Sequence, residues 1–384
     1  MRIAIFTNNY LPNVYGVPMS VETFRKEFES LGHEVFIFAP KYSDYKDINK
    51  NIFRYPSFDI NIKFRFPLPI PYSHKINKIL EDLDIDIIHS QHPNLLGSAA
   101  ARWAKKKNVP LVFTWHTLYD QYTNFVPFLP AKIVAKWAIN NAVKYANKVD
   151  TIIVPTESVA LIIQKWGMNN KIIPIATGVM EKEFLNTDRN EIREKYETKE
   201  NEILLILVSR LTTEKNINFV FEAVLKILKE NKLAKFLLAG DGYLLPELKK
   251  RVKEENLEDK IIFAGIITHQ EIKNYYAAGD IFVYASKSET QGMIITEAMY
   301  VGLPIVAVKA PGVESLVGNN INGILTSENE SEFIRAIQKL MTDKDLRNKM
   351  SQESARIARE KYTSKICAEK MLEVYEKAIK NHAQ

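Results

Sequence analysis

"EILLILVSRLTTEKNI" runs from Glu202 to Ile217. Its apolar core, Ile203–Val208, has no polar alternation, the pattern of a strand covered on both faces in a parallel sheet. The strand gives way to a polar loop with two cations, Arg210 and Lys215, and a helical stretch follows. This is a second beginning. The same alternation of short β-branched runs and amphipathic helices has already run once from residue 2.

In the first pass the strands are "RIAIFT" (2–7), "HEVFIFAP" (33–40), "DIDIIHSQ" (84–91), "PLVFTWH" (110–116) and "DTIIVPT" (150–156). The first helix, 18–32, repeats Val21, Phe24, Phe28 and Leu31 at helical spacing and stops at Gly32. After "EILLILVSR" come "AKFLLAGDG" (234–242), "KIIFAGII" (260–267), "DIFVYAS" (280–286) and "PIVAVKA" (304–310). The fold class is therefore α/β, with two successive doubly wound units. "IIPIATGVM" (172–180) either closes the first unit or links the two. We place the units at residues 1–178 and 179–363. The last helix, 364–384, has no strand after it and is expected to pack back on the first unit.

The 384 residues give room for two domains of roughly 150–200 residues each. A lone cysteine, Cys367, excludes an intrachain disulfide and suits a reducing cytoplasm. No apolar run reaches the ~20 residues of a membrane span, and the N-terminus reads as a strand, not a leader. A net charge of +6 fits an anionic ligand or an anionic membrane surface. Nucleic-acid-binding motifs are absent, so nucleic acid is not an expected partner.

In open α/β sheets ligands bind outside the carboxyl ends of the strands. The loop after the first strand, "NNYLPNVYGVPMS", holds Gly16 but no G-x-G-x-x-G, which argues against a dinucleotide cofactor. The pair Gly240 and Gly242 is a weak signal, and no phosphate-binding P-loop occurs. Arg210 and Lys215 suit a diphosphate, one by bidentate contact and one as a point charge, or are plain surface charge. "ETQGMIITEAM" (289–299) sets Glu289 in a loop above the sheet, with Gly292 permitting close backbone approach. The amides of Gly292, Met293 and Ile294 open a helix and favour an anion. Glu297 lies about one turn further in. Two acids so placed suit a diphosphate with a sugar at each end. The spacing equally fits a helix-dipole carboxylate followed by a solvated one.

These segments resemble a known family. "ETQGMIITEAMYVGLPIVA" is similar to the E-x7-E segment of retaining, nucleotide-sugar-dependent glycosyltransferases of the GT-B fold. "SRLTTEKNI" resembles their G-R-L-x-x-x-K loop, with Ser209 for Gly. "TGVMEKEF" (177–184) resembles N-G-V-D-x-x-x-F, with Met180 for Asp. "APGVESLVGNNINGIL" (310–325) resembles a G-G-x-x-E segment, with Pro311 for one Gly. "DIIHSQHP" and "TWHTLYDQY" match the N-terminal domain, and the likeness covers nearly the whole chain.

The resemblance implies two Rossmann-like domains facing a central cleft, the first binding acceptor and the second donor. It implies that Arg210 and Lys215 bind the donor diphosphate, Glu289 the transferred sugar and Glu297 the ribose. His116 takes the active-site histidine position, and Gly16 lines the loop under the diphosphate. Ile267, Gln291, Gly292, Met293 and Ile294 complete the donor-binding set. His116, Arg210, Lys215 and Glu289 are the catalytic set.

No D-x-D occupies a phosphate-binding loop, since Asp84 and Asp86 lead into a strand, so neither a metal nor a cofactor is expected. Transfer with retention is expected by same-face displacement, with double displacement through a carboxylate as the alternative. Uracil is the favoured base and glucose the favoured sugar. "SETQG", "NNYLPNVYGVPMSV" and "TWHTLYDQY" look most like the diacylglycerol glucosyltransferase subgroup, which implies a membrane lipid acceptor. Segment 60–80 interleaves Lys63 and Arg65 with Phe64 and Phe66, as an anionic bilayer surface would require. A cytoplasmic enzyme held peripherally on the inner face of the membrane is the expectation. The alternatives are a soluble or polysaccharide acceptor, a GDP-mannose-dependent mannosyltransferase, a non-catalytic nucleotide-sugar-binding module, or an epimerase or phosphorylase of this fold.

Overall fold

The first strand, β1 (Arg2–Phe6), lies between β2 (Glu34–Pro40) and β6 (Ile87–Ser90), parallel to both. Its residues Ile3, Ala4, Ile5 and Phe6 are at most 1% exposed, as expected of a strand covered on both faces. This computed structural model describes residues 1–14, 16–61, 65–118 and 131–384, without the side chains of 59–61, 65, 66, 131 and 132. The chain divides into two compact units: Met1–Thr177 with Ser364–Gln384, and Gly178–Thr363.

In the first unit β3 (Ile52–Tyr55) adds to β2, and β7 (Leu111–Thr114), β8 (Thr151–Val154) and β9 (Ile172–Pro174) continue beyond β6. The parallel order is β3-β2-β1-β6-β7-β8-β9. "IIPIATGVM" thus closes the first sheet through β9. A separate antiparallel hairpin, β4 (Ser57–Asn61) and β5 (Arg65–Pro69), stands outside the sheet, and β5 carries Pro67 and Pro69. Proline removes a ladder donor and is excluded from central strands. The helix Ser364–His382 packs on this unit, with the Tyr375 hydroxyl 2.5 Å from His89 Nδ1 and its ring 5.7 Å from that of Phe28.

The second unit is a six-stranded parallel sheet of β10 (Ile203–Val208), β11 (Ala234–Ala239), β12 (Ile261–Gly265), β13 (Ile281–Tyr284), β14 (Ile305–Val308) and β15 (Gly323–Thr326). Its order is β12-β11-β10-β13-β14-β15. In both sheets the order reverses beside the first strand, between β1 and β6 and between β10 and β13. Such a reversal opens a crevice at the strand ends.

The first helix runs Gly16–Ser30 and so starts before the expected residue 18. Pro18 falls in its first turn, where the missing N–H forfeits no intrahelical bond. The edge strands β3 and β15 escape the periodicity. Each has only four residues; Arg54 interrupts the apolar pattern of β3, and β15 is bounded by Gly323 and Thr326.

Candidate active site

In the second unit, Lys215 and Glu289 come from the two strands that flank the order reversal. Lys215 closes a helical turn, Thr213–Lys215, in the loop after β10, and Glu289 lies in the loop after β13. Their side chains are 15% and 14% exposed, and Lys215 Nζ is paired with Glu289 Oε1. The Tyr284 hydroxyl donates to the same oxygen at 2.7 Å. Burial by itself would raise the Glu289 carboxyl. The Lys215 charge and hydrogen bonds from Lys215, Tyr284 and the Gly292 amide outweigh it and hold the acid below the usual carboxylate range.

The backbone of Glu289 is gripped as well. The Gly312 N–H donates to the Glu289 carbonyl at 3.0 Å, and a Cβ at Gly312 would stand 2.7 Å from that oxygen. The "PG" of "APGVES" therefore has a packing reason. Gly240 and Gly242 have one too: a Cβ there would come 1.8 Å from the Ser209 carbonyl oxygen and 2.2 Å from that of Leu211. This Gly-x-Gly seats the β11 loop under the Arg210 loop.

Arg210 is 40% exposed and lies 3.5 Å from Glu214, and its charge also acts on the Tyr284 hydroxyl. Glu297 sits in the helix Met293–Val301, whose preceding residue Gly292 takes a left-handed conformation at φ +68°. The Tyr276 hydroxyl donates to Glu297 Oε2 at 2.8 Å. Burial nonetheless raises the Glu297 carboxyl, and among the described residues no ammonium or guanidinium is paired with it. The two acids of the motif thus differ: Glu289 is locked as a carboxylate and Glu297 is the weaker acid. Ile267, two residues beyond β12, packs against the core of the unit. Close by in sequence, His269 Nε2 is 2.7 Å from Glu183 Oε2. Gln291 is 9% exposed, and Met293 and Ile294 open the helix.

In the first unit His116 follows β7, and its Nε2 is 2.7 Å from Oε1 of Gln91, the residue after β6. Asn8, beyond β1, donates its backbone N–H to His92 Nδ1 at 3.1 Å. Its side chain accepts from Leu96 N–H and donates to the Asn94 carbonyl, both at 3.0 Å. Burial, reinforced by the imidazoles of His92 and His89, pushes His116 down to about 3. His92 falls to about 4 by burial alone. His116 is therefore a neutral imidazole near pH 7. Gly16 opens its helix in the open, with nothing within 4 Å of a Cβ there.

The structure thus brings Arg210, Lys215, Ile267, Glu289, Gln291, Gly292, Met293, Ile294 and Glu297 into one unit and leaves Gly16 and His116 in the other. Lys63 and Phe64 lie outside the described residues. Arg65 and Phe66 belong to β5, with side chains outside the description. Sequence reasoning missed Tyr284, Tyr276, Gln91 and Asn8. A tyrosine at the carboxyl end of the apolar strand "DIFVY" was the available signal for the first.

Two family models match: "Glycosyltransferase Family 4" over residues 14–182 and "Glycosyl transferases group 1" over residues 188–356. The alpha-monoglucosyldiacylglycerol synthase of Streptococcus pneumoniae is 31% identical over 85% of this chain and 75% of its own. The chain belongs to the group 1 glycosyltransferases. The enzyme of the same name from Acholeplasma laidlawii is 29% identical, over 98% of this chain and 96% of its own. Among solved structures, Anabaena HepE in complex with UDP superposes with a TM-score of 0.80 at 18% identity, covering 98% of this chain and 100% of that one. The fold is GT-B, with two Rossmann-like domains.

In this glycosyltransferase, Ser209 stands where the family motif has glycine, and its buried hydroxyl has no partner among the described residues. No described helix is long and apolar enough to cross a membrane. Among the described residues no group of three or more His, Cys, Asp or Glu side chains is placed to hold a metal ion.

Proposed function

We propose that this glycosyltransferase moves glucose from UDP-glucose to a diacylglycerol-class membrane lipid with retention at the anomeric carbon. The observation that carries the reading is the half-buried Lys215–Glu289 pair at the strand-order reversal of the second unit. A cation for a diphosphate and an acid for sugar hydroxyls stand side by side there. The lipid acceptor is supported by the two relatives named as alpha-monoglucosyldiacylglycerol synthases.

On this reading Arg210 and Lys215 neutralise the departing diphosphate by preorganised charge. Glu289 accepts hydrogen bonds from hydroxyls of the transferred sugar, and Glu297 from those of the ribose. Gln291 and the amides of Gly292, Met293 and Ile294 contribute to the donor site, with Ile267 beside the base. His116, kept neutral, is a hydrogen-bonding group and not a cation. The bond from the anomeric carbon to the diphosphate oxygen breaks while the acceptor oxygen bonds on the same face. The acceptor's proton passes to the departing phosphate oxygen, so no enzyme nucleophile is required.

Association with an anionic membrane surface belongs to the same proposal. Next to segment 60–80 Phe58 is 64% exposed, and within it Tyr72 is 61% exposed. On helix Ala131–Ala146, Ile133 and Trp137 are exposed near Lys136. Aromatic and basic groups together suit an interface. The test is a mass-spectrometric screen of UDP- and GDP-sugars against diacylglycerol, polyprenyl phosphate and soluble sugars. Product from UDP-glucose and diacylglycerol is expected. Product only from GDP-mannose, or only on a soluble acceptor, would replace the reading.

A further inference from the structure

The hydroxyl of Tyr284 and the ammonium of Lys215 share one oxygen of Glu289, and they are different kinds of partner. Lys215 is a charge that any bound anion competes for. Tyr284 is neutral, fully buried, and rooted in the last position of β13. Its ring stacks on Phe282 at 6.0 Å between centroids, and Phe282 lies 6.0 Å from Tyr276. Tyr276, also fully buried, donates in turn to Glu297. One aromatic layer under the site therefore supplies one phenol to each of its two acids. A buried phenol needs a hydrogen-bond partner, and each hydroxyl finds a carboxylate: Glu289 for Tyr284 and Glu297 for Tyr276.

We infer that Tyr284 is a positioning residue for Glu289, holding one carboxylate oxygen from inside the core so that the acid keeps its orientation when Lys215 is drawn to an anionic ligand. The inference rests on the donor-site reading above. Glu289 stands on a loop, between β13 and the helix Met293–Val301, where its side chain would otherwise depend on the Gly292 amide and on an ion pair that substrate binding weakens. Burial raises the Tyr284 hydroxyl well above its ordinary range, so it remains a donor throughout the working pH range. Tyr276 offers the same service to Glu297, on the side assigned to ribose, which binds alike in ground and transition states.

The test compares Tyr284→Phe with Tyr276→Phe, using UDP-glucose and dioleoylglycerol in mixed micelles. Each variant keeps its ring and loses one buried hydroxyl from the same layer, so a general packing defect affects both alike. Tyr284→Phe is expected to lower kcat about tenfold, on the scale of one neutral hydrogen bond, with the donor KM little changed. Tyr276→Phe is expected to raise the donor KM and spare kcat. The carboxyl carbon resonance of Glu289, assigned with Glu289→Gln, is expected to titrate at higher pH in Tyr284→Phe. That readout needs no turnover. In a Glu289→Ala background the Tyr284→Phe change is expected to cost nothing further. Unchanged kcat and unchanged titration in Tyr284→Phe, or losses that simply add in the double variant, overturn the inference. If Glu289→Gln is impaired while Tyr284→Phe is not, only the inference falls. If Glu289→Gln turns over like wild type, the donor-site reading falls with it.

Discussion

Lys215 and Glu289, 74 positions apart in sequence, meet as a half-buried ion pair because β10 and β13 are neighbours in the sheet and their loops rise on either side of the order reversal. Arg210, on the same loop as Lys215, is instead half-exposed beside Glu214. The two cations are therefore expected to separate in experiment. Both Lys215→Ala and Arg210→Ala should lose on the order of 10²–10³ in turnover if they stabilise the departing diphosphate. Only Lys215→Ala removes the cation from a largely covered carboxylate, so it should lower stability more than Arg210→Ala does. Thermal melting of the two variants checks the contrast, and equal melting temperatures would contradict it.

The stability loss has a pH signature. Glu289 is depressed in the folded protein, so it contributes stability above the ordinary carboxylate value and loses it as pH falls through its own lower value. Without Lys215, only the Tyr284 and Gly292 hydrogen bonds oppose burial, so the ionised form is less well supported there. The melting difference between wild type and Lys215→Ala should be largest well above the ordinary carboxylate value and shrink as pH falls through the lower value of Glu289 in the folded protein. A difference independent of pH would remove the ion pair as its cause.

Glu289→Gln is expected to damage kcat more than Glu297→Gln, which should act mainly on the donor KM. The motivation is the proposed division of labour, reacting sugar against ribose, together with the opposite shifts of the two acids. Steady-state kinetics with varied donor decide it, and the reverse order would exchange the two assignments.

His116 should leave no limb near neutrality in the pH–rate profile. Burial and the neighbouring imidazoles hold it down to about 3, so it stays uncharged across the range where an exposed histidine titrates. A limb near pH 6.5 in wild type that vanishes in His116→Gln would show that it works as a cation.

The repeated strand–helix grammar was legible because parallel strands buried on both faces must be continuously apolar, as Ile203–Val208 is. Arg210, Lys215, Glu289 and Glu297 stood out through the resemblance of their loops to the G-R-L-x-x-x-K and E-x7-E segments, since their spacing alone fits surface and helix-dipole charge equally well. The tyrosines were not, since Tyr284 and Tyr276 look like core residues and mostly are; only the position of their hydroxyls marks them. Gly240 and Gly242 were only a weak signal of a ligand loop, and the space beside them is taken by the Ser209 and Leu211 carbonyls. That distinction depends on three-dimensional packing between loops distant in sequence. The same packing predicts that Gly240→Ala, at φ +133° and 1.8 Å from a backbone oxygen, lowers the melting temperature sharply. A melt like that of wild type would mean the loops separate easily.

Membrane association is expected to depend on segment 60–80. Cross-strand partners Phe58 and Leu68 of the β4–β5 hairpin are 64% and 37% exposed, and Tyr72 beyond it is 61% exposed. Apolar groups left in water forgo roughly 25 cal/mol per Å², whereas Lys63 and Arg65 would be costly to bury. An anionic interface satisfies both, and each basic residue there contributes about 1 kcal/mol within a Debye length of the surface. Sedimentation with vesicles should therefore rise with the anionic lipid fraction and fall with salt. Replacing Lys63, Arg65 and Phe66 together should weaken it while donor hydrolysis stays unchanged, because none of them is assigned to the donor site. Wild-type protein that remains in the supernatant at low salt with strongly anionic vesicles would remove the physical support for a lipid acceptor. A soluble acceptor would then be the better reading.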